Sequence, residues 1–303
     1  MTDALLAYLL AYRGLVDQTA IAAILAYSQY VVLRAGVFSI ATAGFASIGA
    51  YAAALCVTAA GLPPLAGAVA ALLAGTATAL VIAWPLARLR GVFQAIATLA
   101  FVQVVLSGAQ NAAWITNGAL GINGIPKAAT TPVVLGALAA VMFLLWNLGR
   151  SRFGRAFDAI RQDETVAAAL GVPVARMHLL AFGLSGALAG LGGALEAYHS
   201  YSITPEQFGF HLMVAALTFV ILGGRVSVWG PLIGAAIMTT LPEVARPLAA
   251  ARLLLQGALL IAVTVYLPDG IVDTLIARWR RRARARLARA PATREAGDGA
   301  VVA

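Results

Sequence analysis

The chain carries one lysine, Lys127, in the segment GINGIPKAA. A phosphate-cradling Walker A loop requires G-x-x-x-x-G-K-[ST], because its lysine must reach the β and γ phosphates. Lys127 follows a proline, so this polypeptide carries no P-loop ATPase of its own. The patterns G-x-S-x-G and H-E-x-x-H are also absent, and Ser185 in GLSGA sits in an apolar helical setting where packing is the expected role. Cys56, the single cysteine, cannot form an intramolecular disulfide and has no Cys/His ligand spacing around it, so neither metal nor redox chemistry is expected. Acids inside apolar segments would mark ion or proton pathways. Of the 12 acids only Glu196 falls clearly inside such a segment, near its outer end beside Tyr198 and His199, where a water-facing position is expected. His178 and His211 also fall near segment ends. A secondary transporter or channel would want ionisable groups near the midplane, and a membrane enzyme would want a polar catalytic cluster.

A second candidate chemistry is protein docking. In SRFGRAFDAIRQDETVAAALGVPVARM, Ser151–Met177, the apolar Phe153, Phe157 and Ile160 recur at i, i+4, i+7, while Arg155, Asp158, Arg161 and Gln162 face elsewhere. That is an amphipathic helix. Asp163 is placed to cap a second short helix starting at Glu164 and ended by Gly171, with Pro173 two residues beyond. The competing reading is a helix resting on lipid, but Asp158, Asp163 and Glu164 are interleaved with the arginines, whereas a purely lipid-binding face is normally basic. The segment Asn111–Thr131, rich in Gly and Asn, reads as an ordered loop.

These stretches must be held by apolar elements. The 303 residues are 61% hydrophobic and 11% charged, against roughly 45–50% and about 25% in soluble domains, which excludes a soluble globular protein. Nine segments approach the roughly 20 apolar residues that cross a bilayer: 18–33, 36–60, 65–87, 91–110, 132–148, 178–200, 208–223, 232–248 and 251–268. The segment 4–12 is too short to span. Its flank has Asp3 and no basic residue, so it is not expected to be a cleaved signal peptide. Gly and Pro at 34–36, at Pro85 and at 223–231 are candidate helix breaks.

The net charge of +9 could suggest nucleic acid, but eight of the 21 basic residues lie between Arg278 and Arg294, after the last apolar segment, and no folded basic domain is present. Anionic lipid headgroups are the expected partner of that tail. With nine spans and the C-terminus inside, 17 of the 21 basic residues fall on the inner side, which places the 149–177 loop in the cytoplasm. Small residues recur every fourth position at Ala71, Gly75, Ala79 and Ala83, and Gly186 and Gly190 form a GxxxG, as close helix packing in lipid requires. The fold class expected is all-α: a polytopic membrane bundle of about eight to ten spans. Residues 1–277 form the membrane domain, with its cytoplasmic loop at 149–177, and 278–303 a basic, disordered cytoplasmic tail.

The residues from Ser39 to Gly270 resemble the permease subunits of bacterial ABC importers for branched-chain amino acids, in the LivM-like branch. The strongest stretch is Arg150–Leu195, RSRFGRAFDAIRQDETVAAALGVPVARMHLLAFGLSGALAGLGGAL. Supporting matches are IGAYAAAL at Ile48–Leu55, RLRG at Arg88–Gly91, GINGIP at Gly121–Pro126, ITPEQF at Ile203–Phe208 and LGGRVSVWGPLIGAA at Leu222–Ala236. The chain departs from the family pattern where Ser39-Ile40-Ala41-Thr42 replaces a Ser-Leu-Gly-His-like segment, where Gln103 stands near a frequent acid, and where Val226 replaces a glycine. Related permeases serve urea and short-chain amides, so these departures bear on the solute.

The resemblance implies a second, LivH-like permease subunit, two cytoplasmic ABC ATPases that bind the ATP, and a periplasmic or extracytoplasmic solute-binding protein, at the bacterial inner membrane. This chain itself would need no cofactor. It also implies that Phe153–Gly171 sits in an ATPase cleft, with Phe153, Phe157 and Ile160 as apolar anchors, Arg155, Asp158, Arg161, Asp163 and Glu164 as polar contacts, and Gly171 closing the element. The translocation path would offer small hydrogen-bonding groups: Ser39, Thr42 and Ser47 on one helix, and Gln94, Thr98, Gln103 and Ser107 on another.

Overall fold

The computed structural model describes residues 13–86, 89, 91–244, 257, 261, 265, 270–276, 278 and 279. Its helices are α1 (Arg13–Arg34), α2 (Thr42–Thr58), α3 (Pro64–Leu86), α4 (Val92–Asn111), the one-turn α5 (Ala113–Thr116), α6 (Thr131–Arg150), α7 (Arg152–Gln162), α8 (Glu164–Ala169), α9 (Val174–Ser200), α10 (Phe210–Gly223) and α11 (Trp229–Val244). Six stretches are long and apolar enough to cross a membrane, and α2 and the start of α11 are shorter apolar helices. Eight of the nine expected spans therefore have a helix within a few residues of the expected place. The ninth, 251–268, lies outside the described residues apart from the helical Gly257, Ile261 and Val265, as do 4–12 and most of the tail.

Helix α9 is the hub. Its small residues let backbones touch: a Cβ at Gly190 would overlap the Ala71 carbonyl of α3, one at Gly186 would strike Gly75 and Ala79, and one at Gly193 would strike Ala46 of α2. The four-residue repeat Ala71, Gly75, Ala79, Ala83 is buried along the whole of α3. Without a hydrophobic drive between helices in lipid, this contact is where the packing energy arises.

Helix ends sort to two opposite faces. At one, the Tyr198 hydroxyl of α9 donates to the Pro64 carbonyl at the start of α3. There too, Ile122–Asn123 pairs antiparallel with Ser202–Ile203, and the Lys127 ammonium lies 5.2 Å from the Tyr201 ring centroid. At the other face lie the ends of α1 and α6, the hairpin α7–α8 and the turn between α10 and α11.

Two boundaries differ from expectation. Helix α1 is already helical at Arg13, ahead of the expected start at 18, which puts Asp17 inside a candidate span, buried, with the Thr131 hydroxyl of α6 donating to it at 3.0 Å. The charges at 13 and 17 lower the local hydropathy, but the partner on α6 lets the helix run on. The expected span 36–60 is helical only from Thr42. Gly36 adopts φ +80°, which residues other than glycine seldom adopt, and residues 37–41 run non-helically into the bundle.

Candidate coupling and translocation site

Non-helical backbone at membrane depth is tolerated only where protein supplies its hydrogen bonds. Here the Val32 carbonyl accepts from the Val37 N–H at 3.0 Å, and side chains supply further partners. Gln29 of α1 donates to the Ser39 carbonyl, the Thr98 hydroxyl of α4 accepts from the Ile40 N–H at 3.2 Å, and the Ser39 hydroxyl accepts from the Ala41 N–H at 3.3 Å. Thr42 donates to the Gln29 amide oxygen at 2.8 Å. Ser28 donates to Thr42 at 3.3 Å and pairs with Ser185 of α9 at 2.9 Å. Gln94 donates to the Leu86 carbonyl at 3.4 Å.

Ser39, Thr42 and Thr98 are thus buried and brought together, but as the support of a broken helix start, with Ser39 before α2 and not on it, while Gln94, also buried, holds the end of α3. Ser47 is buried on α2. Gln103 and Ser107 fall on the other side of α4, exposed on the isolated subunit together with Gln110 and Asn111. Asn111 donates to the Ser107 carbonyl at 2.8 Å. A polar stripe at i, i+4, i+7, i+8 on a candidate span is costly against lipid and suits water or another protein. Ser28 and Gln29 were not singled out from sequence, because an amide and a hydroxyl inside an apolar run carry no local signal. Glu196, expected to face water, is half-buried on α9.

The α7–α8 hairpin is built largely as its sequence requires. Ser151 caps α7, accepting from the Gly154 N–H at 3.4 Å. Asp163 caps α8, accepting from the N–H groups of Thr165 and Val166 at 2.8 and 3.0 Å. Gly171, at φ +83°, ends the element. Gly154 has to be small, since a Cβ would press on the Leu148 carbonyl and Gly149 at the end of α6.

The apolar face of α7 points inward. Phe157 and Ile160 are 1% and 4% exposed and seat the helix on this chain's own core, so they are not available as anchors for a partner. Of the three proposed anchors only Phe153 remains outside, at 47%, joined by Val166 at 54% and Leu170 at 78%, which the i, i+4, i+7 pattern did not reveal. Arg155, Asp163 and Gly171 are exposed, and Arg161 and Glu164 half-buried.

Asp158 is held within the chain rather than offered outward. Arg34, the last residue of α1, donates through Nε and Nη2 to its two carboxylate oxygens at 3.2 and 3.1 Å, and through Nη1 to the Tyr30 hydroxyl at 3.0 Å. The bidentate fork is the strong form of this contact. Tyr30 in turn donates to the Val226 carbonyl at 3.0 Å, in the turn between α10 and α11. Tyr27 donates to the Val228 carbonyl at 2.8 Å. The N–H groups of Val226 and Ser227 donate to the Asp273 carboxylate at 2.8 and 2.9 Å. In the sequence Arg34 stands out only at the candidate break 34–36 and as one of the 17 inner-side basic residues, because its partner is remote in the chain.

Over residues 12–264 the chain matches the family described as the permease component of the branched-chain amino acid transport system. It is 30% identical over 303 residues to the high-affinity branched-chain amino acid transport system permease protein LivM of Salmonella typhimurium, covering 86% of this chain and 70% of the relative. The LivM protein of Escherichia coli K12 matches to the same extent. The autoinducer 2 import system permease protein LsrC of Escherichia coli is 27% identical over 233 residues, covering 70% of this chain and 64% of the relative. LivH of Salmonella typhimurium is 29% identical over 175 residues, covering 56% of this chain and 55% of the relative. No solved structure matches the chain. The matched region takes in the helical bundle, the α7–α8 hairpin and the turn that Arg34 reaches, and on that footing the chain belongs to the permease components of branched-chain amino acid transport systems, a family of polytopic helical membrane proteins.

Proposed function

We propose that this chain is one permease subunit of an ABC importer that moves a branched-chain amino acid or a related small solute into the cytoplasm. Separate ATPase subunits bind and hydrolyse ATP, a LivH-like chain completes the permease, and an extracytoplasmic solute-binding protein delivers the solute. The observation that carries this reading is the α7–α8 hairpin: two capped short helices at one end of the bundle that bury one face on their own chain and present Phe153, Val166 and Leu170 beside Arg155. Exposed apolar residues interspersed along the hairpin with the exposed Arg155 and Asp163 fit a protein cleft better than a lipid surface, where a basic face is the rule. The lack of a Walker A lysine in this sequence supports an energy source in another polypeptide. The basic residues Arg34, Arg150, Arg152, Arg155, Arg161, Arg176 and Arg225 lie at the hairpin end of their helices, which supports a cytoplasmic hairpin in the inner membrane.

For the path, the structure favours the exposed face of α4 with Gln103 and Ser107 over the buried group at Ser39, Thr42, Gln94 and Thr98, whose hydrogen bonds are used inside the subunit. The solute remains a branched-chain amino acid in the first reading. A second reading, a different small polar solute, draws on the departures at Gln103 and Val226 and on the LsrC relatives, whose name gives autoinducer 2.

Proteoliposomes containing the chain with the ATPases, permease partner and binding protein encoded beside it test the proposal. Leucine uptake that needs ATP and all components is expected. Uptake by the chain alone would sink the ABC reading, and ATP-dependent uptake of another solute would select the second.

A further inference from the structure

The hydrogen bonds at the hairpin end form one connected series: Asp158 of α7, Arg34 and Tyr30 of α1, then Val226 in the α10–α11 turn. We propose that Arg34 is the positioning residue through which a shift of α7 is passed to the α10–α11 turn. The inference rests on the importer reading above, which supplies the force on α7.

Three features make α7 and the end of α1 move together. The guanidinium engages both carboxylate oxygens, so tilting α7 breaks two charge-assisted bonds at once. The Arg34 side chain is 11% exposed and that of Asp158 34%, so the guanidinium side of the pair is shielded from water and salt while the carboxylate is partly open to them. Gly36 has no side chain where the α7 backbone at Arg161 crosses, so the start of the 37–41 segment lies directly on the hairpin.

The turn at the far end is gripped from two sides. Tyr27 and Tyr30 take its carbonyls from α1, and Asp273 takes its N–H groups from beyond Gly270. A Cβ at Gly223, Gly224 or Gly270 would overlap neighbouring backbone or the Asp273 carboxylate, so the turn has little room to absorb a displacement by local bending. A shift of the α1 end is therefore delivered to α10 and α11 as rigid bodies, the kind of step by which packed helices switch. A proposed route of this sort needs a coupling measurement and not proximity alone.

The experiment uses the complete transporter with its ATPases and binding protein, and reads solute moved per ATP hydrolysed. Arg34→Gln and Asp158→Asn are each expected to lower that ratio about tenfold, from the loss of one charge-assisted contact. The double variant is expected to be no worse than either single, since both act on one bond pair. Tyr30→Phe keeps the ring but removes the hydroxyl joining Arg34 to Val226, and is expected to lower the ratio while ATPase subunits still co-purify. The proposal is overturned if the ratio is unchanged in Arg34→Gln, if the two single effects multiply in the double variant, or if Tyr30→Phe assembles fully and transports at the normal ratio. Should Arg34→Gln fail to assemble, Tyr30→Phe decides alone. Wild-type transport without ATPases would defeat the importer reading instead, so the two failures are separable.

Discussion

At the residue scale, the hairpin separates groups that hold it together from groups that face outward. Asp163 accepts two backbone N–H groups at the start of α8, and loss of such a cap costs about 1 kcal/mol. Asp163→Ala is expected to reduce ATPase co-purification, and Asp163→Ser to retain most of it. Leu170→Glu should abolish co-purification with no change in the thermal midpoint of the purified chain, since Leu170 is 78% exposed and contributes little to the core. The Asp163 cap and the break at Gly171 were legible in sequence because each depends on neighbours within three or four positions. The inward turn of Phe157, Ile160 and Asp158 was not: an amphipathic pattern shows that a helix has an apolar face, and only tertiary contacts decide whether that face meets a partner or its own chain.

At the scale of elements, α9 meets α2 and α3 through close backbone contact at its glycines, alongside buried large side chains such as Phe182 and Leu195. Gly190→Val would drive a branched side chain into the Ala71 carbonyl, and overpacking of this sort costs about 1–3 kcal/mol. The expected outcome is a lowered thermal midpoint in detergent, measured beside Gly136→Ala on α6, where nothing lies within 4 Å and no loss is expected. The periodicity of Ala71, Gly75, Ala79 and Ala83 announced that α3 has a small face, and the GxxxG did so for α9. Which helix each face would meet lay beyond local pattern. The break at 37–41 was half legible: Gly36 marked it, but the apolar run through Val37 and Ile40 argued for helix, and the supporting Gln29 and Thr98 come from two other elements.

At the scale of the molecule, alternate helices place the hairpin and the paired segment Ile122–Asn123 at opposite ends. Replacing Cys56 by Ala and introducing Ala119→Cys or Ala168→Cys, both exposed sites, gives a direct test in cells expressing the chain without its ATPases. A membrane-impermeant thiol reagent is expected to label Ala119→Cys from outside and Ala168→Cys only after the membrane is opened. The reverse pattern would invert the orientation. The positions of the apolar runs made this two-ended arrangement of helices readable from sequence, because run length is set by the bilayer and not by particular contacts, and the charge distribution supplies the orientation expected of it.

The central place of α9 also bears on how the protein is made. Ser28 meets Ser185 across 157 residues of sequence, and the small faces of α2 and α3 likewise wait for a helix that emerges long after them. The first three spans must therefore enter the bilayer with their close-packing seams uncovered, and the bundle closes only once the ribosome has delivered Val174–Ser200. Until then the nascent chain depends on the insertion machinery or on lipid to occupy those seams, and a chain stalled before α9 would present quality-control proteases with helices whose small-residue seams lack the partner they are shaped for.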